Sequence, residues 1–183
     1  NLNWFNILPV NDFWENQVDA GYYDKILLSG LNKKSGIQSN WHNLTFLKIA
    51  KNINLEYNHL DYACGPGTFI GNYLDSKSLG VDISKKQIQY AINNYSENGT
   101  FMTTEEFKIK NYFENYDVIT VIGLLEFISE DQAISLVEDL YSLLKPGGKI
   151  LLTTPNYRGS MYFLEKLVNL FGDVSYQNQH IAR

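Results

Sequence analysis

His59-Leu60-Asp61-Tyr62-Ala63-Cys64-Gly65-Pro66-Gly67-Thr68-Phe69 runs from apolar strand-like residues through an acid and a cluster of small residues into the start of a helix. A glycine-rich turn between strand and helix lets main chain approach a ligand closely, and the helix N-terminus adds partial positive charge suited to a carboxylate. Downstream of this turn, short apolar runs alternate with helix-periodic segments, the pattern of an open parallel sheet covered on both faces. Strands are expected over 58–62, 78–82, 100–103, 116–122 and 149–154.

The helices between them are marked by caps. Ser84 and Gln87 stand in capping-box spacing before Ile88, Ala91, Ile92 and Tyr95, and Ser129 and Gln132 do the same before Ile134, Val137 and Leu140. Lys145-Pro146-Gly147-Gly148 ends the second helix, and Leu164, Leu167, Val168 and Phe171 mark a last one. Ahead of residue 57, aromatic residues sit among Asn and Asp without a clean period, which points to short helices. One of these covers 41–52, with Ser39 or Asn40 as cap and Trp41, Leu44 and Leu47 along one side. The organisation read from this is a helical cap over 1–56 and a ligand-binding core over 57–183.

Composition narrows the function. The 183 residues, 44% hydrophobic, suffice for one packed domain. A net charge of -5 and a pI near 5.2 disfavour nucleic acid as a partner and favour a small polar molecule. Cys64 is the only cysteine in the sequence, so the expected compartment is the cytoplasm rather than an oxidising one. The longest apolar run, 118–128, is interrupted by Thr120 and Glu126 and is too short to span a bilayer, so no membrane partner is expected.

The glycine turn by itself is ambiguous, because Gly65, Gly67 and Gly71 also read as a variant of the dinucleotide fingerprint. Asp61 argues against a dinucleotide. Near the end of its strand it would repel a pyrophosphate and attract a cationic amine. Asp82, at the end of the second strand, can accept hydrogen bonds from two ribose hydroxyls, with Ile83 packing on an adenine face. Its plainer job would be to cap the following helix.

Four motifs, in order, give the chain its resemblance to the class I S-adenosylmethionine-dependent methyltransferases. They are Leu60-Asp61-Tyr62-Ala63-Cys64-Gly65-Pro66-Gly67, Gly80-Val81-Asp82-Ile83-Ser84, Tyr116-Asp117-Val118-Ile119 leading to Leu125-Glu126-Phe127-Ile128, and Leu144-Lys145-Pro146-Gly147-Gly148-Lys149. The resemblance implies an α/β doubly wound, mainly parallel sheet of order 3-2-1-4-5. It implies S-adenosylmethionine as cofactor and S-adenosylhomocysteine as product. It sets Gly65 and its neighbours against the amino-acid part, Asp82 on the ribose, and Gly123 and Leu124 beside the methyl-bearing sulfur. Ala63 departs from the family, which usually has glycine there. Thr104 or Glu105 stands near where many members place an aspartate on the adenine amine.

Methyl transfer from a sulfonium needs alignment and exclusion of water more than protein chemistry. For an oxygen acceptor a base helps, and histidine suits neutral pH. Of the three histidines, His59 reads as structural, His42 as the candidate base on a helix lying over the cofactor, and His180 as a weaker acceptor-side candidate. Tyr22 and Tyr23 are candidates to close the pocket over the sulfonium, whose charge favours aromatic faces, and Trp41 is a further lid candidate. Cys64 reads as a small packing residue.

The function expected is methyl transfer to a small polar acceptor, such as a sugar or biosynthetic intermediate. The rivals are a methyltransferase-like binding module without turnover and an NAD-dependent oxidoreductase. The family adds two further strands after the fifth, and Arg183 precedes them, so a C-terminally incomplete sequence is expected. An exposed Ile150-Leu151-Leu152 edge would then invite a homodimer.

Overall fold

The computed structural model describes residues 13–33 and 36–154. A short π-helix, Phe13–Gln17, leads into α1 (Tyr22–Lys33) and α2 (Ile37–Ala50). The alternating part follows as β1 (His59–Tyr62), α3 (Thr68–Tyr73), β2 (Ser78–Asp82), α4 (Lys85–Tyr95), β3 (Gly99–Thr103), β4 (Tyr116–Ile122), α5 (Glu130–Leu143) and β5 (Leu144–Thr153). The strands form one parallel sheet in the order β3-β2-β1-β4-β5. This is the doubly wound α/β fold and strand order that the sequence implies. The helix expected around 164–171 and the candidate His180 lie outside the described residues.

Side chains alternate across the sheet and build two apolar layers. Leu60, Tyr62, Val81, Ile119 and Val121 pack with Leu140 and Leu143 of α5 on one face. Phe69 and Ile70 of α3, Ile88 and Ala91 of α4 and Ile49 of α2 pack with Phe101 on the other. The seam of α5 is Leu136, Leu140 and Leu143, while Ile134, expected inside, is exposed. On α4 Ile88 and Ala91 are buried as expected and Ile92 is not.

The cap of α5 is a full capping box: the Gln132 amide donates to Ser129 Oγ and Gln132 Oε1 accepts from the Ser129 amide. At α4 only half forms. Ser84 Oγ accepts from the Gln87 amide, but the Gln87 side chain turns to the N-terminal segment. There its Oε1 accepts from the Gly21 amide at 3.0 Å and its Nε2 donates to Asp19 O at 2.9 Å. Asp24 of α1 accepts from the hydroxyls of Tyr90 and Tyr95, at 2.9 and 2.7 Å, and pins α1 to the same helix.

Helix α2 starts earlier than expected, with Gly36 as N-cap. Ser39 lies inside it, and its hydroxyl donates to Gly36 O. The inward stripe is Ser39, His42, Phe46 and Ile49, not Trp41, Leu44 and Leu47. Phe46 meets the rings of Phe69 and Tyr73, whereas Leu44 and Leu47 are exposed. Lys145-Pro146-Gly147-Gly148 forms a register irregularity at the start of β5 rather than a separate turn, and Lys145 Nζ is 2.7 Å from Asp117 Oδ2. Among the described residues no helix is long and apolar enough to cross a membrane.

Candidate active site

Strand β1 sets Asp61 near the C-terminal end of the sheet, in register with Gly80 of β2 and Thr120 of β4. The Thr120 hydroxyl donates to Asp61 Oδ1 at 2.6 Å. Burial pushes the Asp61 carboxyl up to about 7, the Thr120 hydrogen bond works against that rise, and the charge of Asp82 adds to it. A carboxylate in these surroundings is relieved by a cation.

The turn after β1 uses left-handed backbone three times, at Ala63 (φ 63°), Gly65 (φ 53°) and Gly67 (φ 77°). Ala63, where the family resemblance expects glycine, bears this conformation at a cost of about 1 kcal/mol. The two glycines do different work. A Cβ on Gly67 would lie 2.8 Å from the Phe101 ring and 2.9 Å from Ala91 Cβ, so this glycine lets α3 close on its neighbours. A Cβ on Gly65 would meet nothing within 4 Å, which leaves open space for a ligand against bare main chain.

Asp82 closes the turn from below. Its Oδ2 accepts from the Gly65 amide at 2.8 Å, its Oδ1 accepts from the Ser84 amide at 2.9 Å, and its carbonyl accepts from the Thr104 amide at 2.9 Å. Burial pushes the Asp82 carboxyl up, the amides of Ser84, Gly65 and Ile83 oppose this, and Glu15 raises it further. Glu15, on the π-helix, accepts from Ser84 Oγ at 2.7 Å. Three acids therefore gather around the glycine turn. That field suits the ammonium and sulfonium of S-adenosylmethionine and repels a pyrophosphate.

The other candidates fall at the same sheet edge or in the layer above it. Ile83 is half-buried beside Asp82; Thr104 is buried, while Glu105 is exposed and paired with Lys85 at 3.0 Å. Gly123 follows β4 with φ 68° and donates its amide to Thr153 Oγ1, and Leu124 is half-buried against the α5 layer. Tyr22 is buried in a cluster with Phe13 and Val18 that includes Phe127, and Trp14 stands edge-on to Phe127 at 4.9 Å. Trp41 is half-buried, edge-on to His42 at 4.7 Å. His42 lies in a row of rings that runs from Tyr23 through Phe46 to Phe69 on α3, and burial pushes its imidazole down to about 4. Burial pushes the Cys64 thiol up, in keeping with a packing role.

Glu126 was not anticipated as a site residue. It lies in the single-turn 3-10 helix Leu125–Phe127 after β4, is buried, and its Oε2 has no hydrogen-bond partner among the described residues. Its Oε1 would stand 3.7 Å from a Cβ on Gly123. Burial pushes its carboxyl up to about 7. The signal in the sequence was its interruption, with Thr120, of the apolar run 118–128.

A family model described as a methyltransferase domain matches residues 18–182. The chain belongs to the methyltransferase-domain family. This family uses S-adenosylmethionine and releases S-adenosylhomocysteine. Among curated relatives, the ubiquinone biosynthesis O-methyltransferase of Vibrio cholerae is 24% identical over 68% of this chain and 54% of its own length. That of Nitrosococcus oceani is 29% identical over 56% of this chain and 45% of its own. The chain thus spans about half the length of the curated relatives it matches.

Solved methyltransferases share the fold. The magnesium protoporphyrin IX methyltransferase of Synechocystis, with S-adenosylhomocysteine bound, is 20% identical, with a TM-score of 0.58 over 82% of this chain and 78% of that one. A TehB-like enzyme of Corynebacterium glutamicum is 21% identical, with a TM-score of 0.52 over 69% of this chain and 76% of that one. The methyltransferase-domain fold is built here with Ala63 in place of a loop glycine.

Proposed function

We propose that this chain is the reaction core of an enzyme that moves the methyl group of S-adenosylmethionine onto an oxygen of a small hydroxyl-bearing acceptor. The observation that carries the choice of oxygen is the buried, unpartnered Glu126 Oε2 beside Gly123. The relatives named as O-methyltransferases agree with it.

When bound, S-adenosylmethionine supplies an electrophilic methyl group on a sulfonium. Asp61 would take its ammonium, the Gly65 main chain would lie against its amino-acid part, and Asp82 would accept from the ribose hydroxyls. Ile83 and Thr104 would border the adenine, with the exposed Glu105 at the rim. Glu126 accepts the hydroxyl proton of the acceptor as that oxygen becomes a nucleophile; a carboxyl raised to about 7 is matched to this at neutral pH. The described part of the N-terminal segment, 13–33 and 36–56, would serve as the cap that excludes water, with Tyr22, Trp41 and His42 as its aromatic residues. His42, held at about 4, is neutral at pH 7 and a weaker base than Glu126.

The test is methyl transfer from labelled S-adenosylmethionine to a panel of small phenols and polyols, catechol included, beside small amines and carbon nucleophiles. With S-adenosylmethionine saturating at every pH, so that Asp61 stays paired, turnover is expected to rise with pH through about 7 and to fall at least about 100-fold, with a flat profile, in Glu126→Gln. Label on nitrogen or carbon acceptors alone would overturn the reading.

A further inference from the structure

Strand β1 lies in the middle of the sheet, where both faces are covered and apolar β-branched side chains are the rule. On the face under α3 it carries His59 and Asp61 instead, at 0% and 2% exposure. Ser78 of β2 and Thr120 of β4 flank them, both buried. His59 Nδ1 is 2.9 Å from Ser78 Oγ, His59 Nε2 is 2.9 Å from Thr120 Oγ1, and Thr120 Oγ1 is 2.6 Å from Asp61 Oδ1. A polar chain therefore crosses three strands and ends on the acid at the site.

The chain has a direction. An ionised Asp61 only accepts, so Thr120 gives its one proton to it and offers a lone pair to His59. Nε2 must then carry the imidazole hydrogen, which leaves Nδ1 to accept from the Ser78 hydroxyl at 2.9 Å, nearer than that hydroxyl's other acceptor, Ser76 O, at 3.3 Å. Burial pushes the ring down to about 3, so it stays neutral and keeps one tautomer. The Phe69 ring, edge-on at 6.1 Å, helps hold its plane.

We infer that His59 is a positioning residue for the cofactor: its Nε2–H holds the Thr120 hydroxyl on Asp61 and so keeps Asp61 aimed and ready for an ammonium group. A residue that only filled space at this position would be better served by leucine or valine, since a buried imidazole loses solvation that its two hydrogen bonds must make good. The inference rests on the proposal that Asp61 is the ammonium site.

Two measurements test it. At pH 8, where Asp61 is ionised, 15N NMR of His59 in the protein without cofactor is expected to show Nε2 protonated and Nδ1 bare; an Nδ1–H ring at that pH would overturn the relay. Calorimetry would then compare S-adenosylhomocysteine with 5′-methylthioadenosine, which keeps the nucleoside and lacks the amino-acid arm. His59→Leu and Thr120→Val are each expected to weaken the first about tenfold and leave the second unchanged, the loss expected when a charged hydrogen-bonded group loses its support. His59→Gln, which restores a donor toward Thr120, is expected to recover part of the loss. Equal weakening of both ligands would mark His59 as structural, and no change in either would remove it from the site. A wild-type protein that does not prefer S-adenosylhomocysteine would instead overturn the assignment of Asp61 itself.

Discussion

Replacing Asp61 with asparagine sets stability against binding, and the two are expected to move in opposite directions. Burial raises the carboxyl from 3.8 to about 7. Ionising it in the empty site therefore costs about 4 kcal/mol, at 1.36 kcal/mol for each pKa unit. The sign follows from the direction of the shift. An acid raised on folding binds its proton more tightly in the folded state, so the penalty is absent below the unfolded value and complete above about 7. In Asp61→Asn the new side chain would keep an oxygen for the Thr120 hydroxyl but bury an amide nitrogen without an acceptor, which takes back about 2 kcal/mol. The net expectation at pH 8 is a gain of about 2 kcal/mol, or about 5 °C in melting temperature for a chain of this length. At pH 5, little more than one unit above the unfolded value of 3.8, only about 2 kcal/mol of the penalty remains, the buried amide offsets it, and the gain should vanish. Thermal melts at pH 5 and 8 measure this, and titration with S-adenosylhomocysteine should show affinity at pH 8 reduced more than tenfold through loss of the charged partner. An Asp61→Asn protein that is less stable at pH 8, or shifted equally at both pH values, would refute the reasoning.

Gly65→Ala and Gly67→Ala should separate the two uses of glycine in the turn. The first meets open space and is expected to cost about 1 kcal/mol of stability while weakening cofactor binding. The second runs into Phe101 and Ala91 and should lose at least about 2 kcal/mol in a urea melt. Ser129→Ala removes one arm of the α5 capping box and should cost about 1 kcal/mol with cofactor affinity unchanged, as read by melts and calorimetry.

The sequence carries the sheet well, because glycine, proline and capping signals bracket runs of the right length, and the order β3-β2-β1-β4-β5 follows from the family motifs. Helix faces were harder. The inward stripe of α2 contains Ser39 and His42, so a reading that followed its apolar residues chose the solvent side. The acids Asp61 and Asp82 are visible as strand-terminal residues. Their partners are not, since Thr120 lies 59 positions from Asp61, and Glu15 lies 69 from Ser84. Such pairs exist only once strands and cap are assembled. Glu126 and Thr120 were legible only as interruptions of an apolar run, and burial without a partner is what turns the first into a candidate base.

One calorimetric titration, of S-adenosylmethionine and of NADH into the wild-type protein and into Asp82→Ala, tests the identity of the cofactor most directly. Saturable binding of S-adenosylmethionine alone is predicted, weakened about 30-fold by the substitution, equivalent to about 2 kcal/mol of charge-assisted hydrogen bonding. Binding of NADH in its place, or an Asp82→Ala affinity equal to wild type, would contradict it.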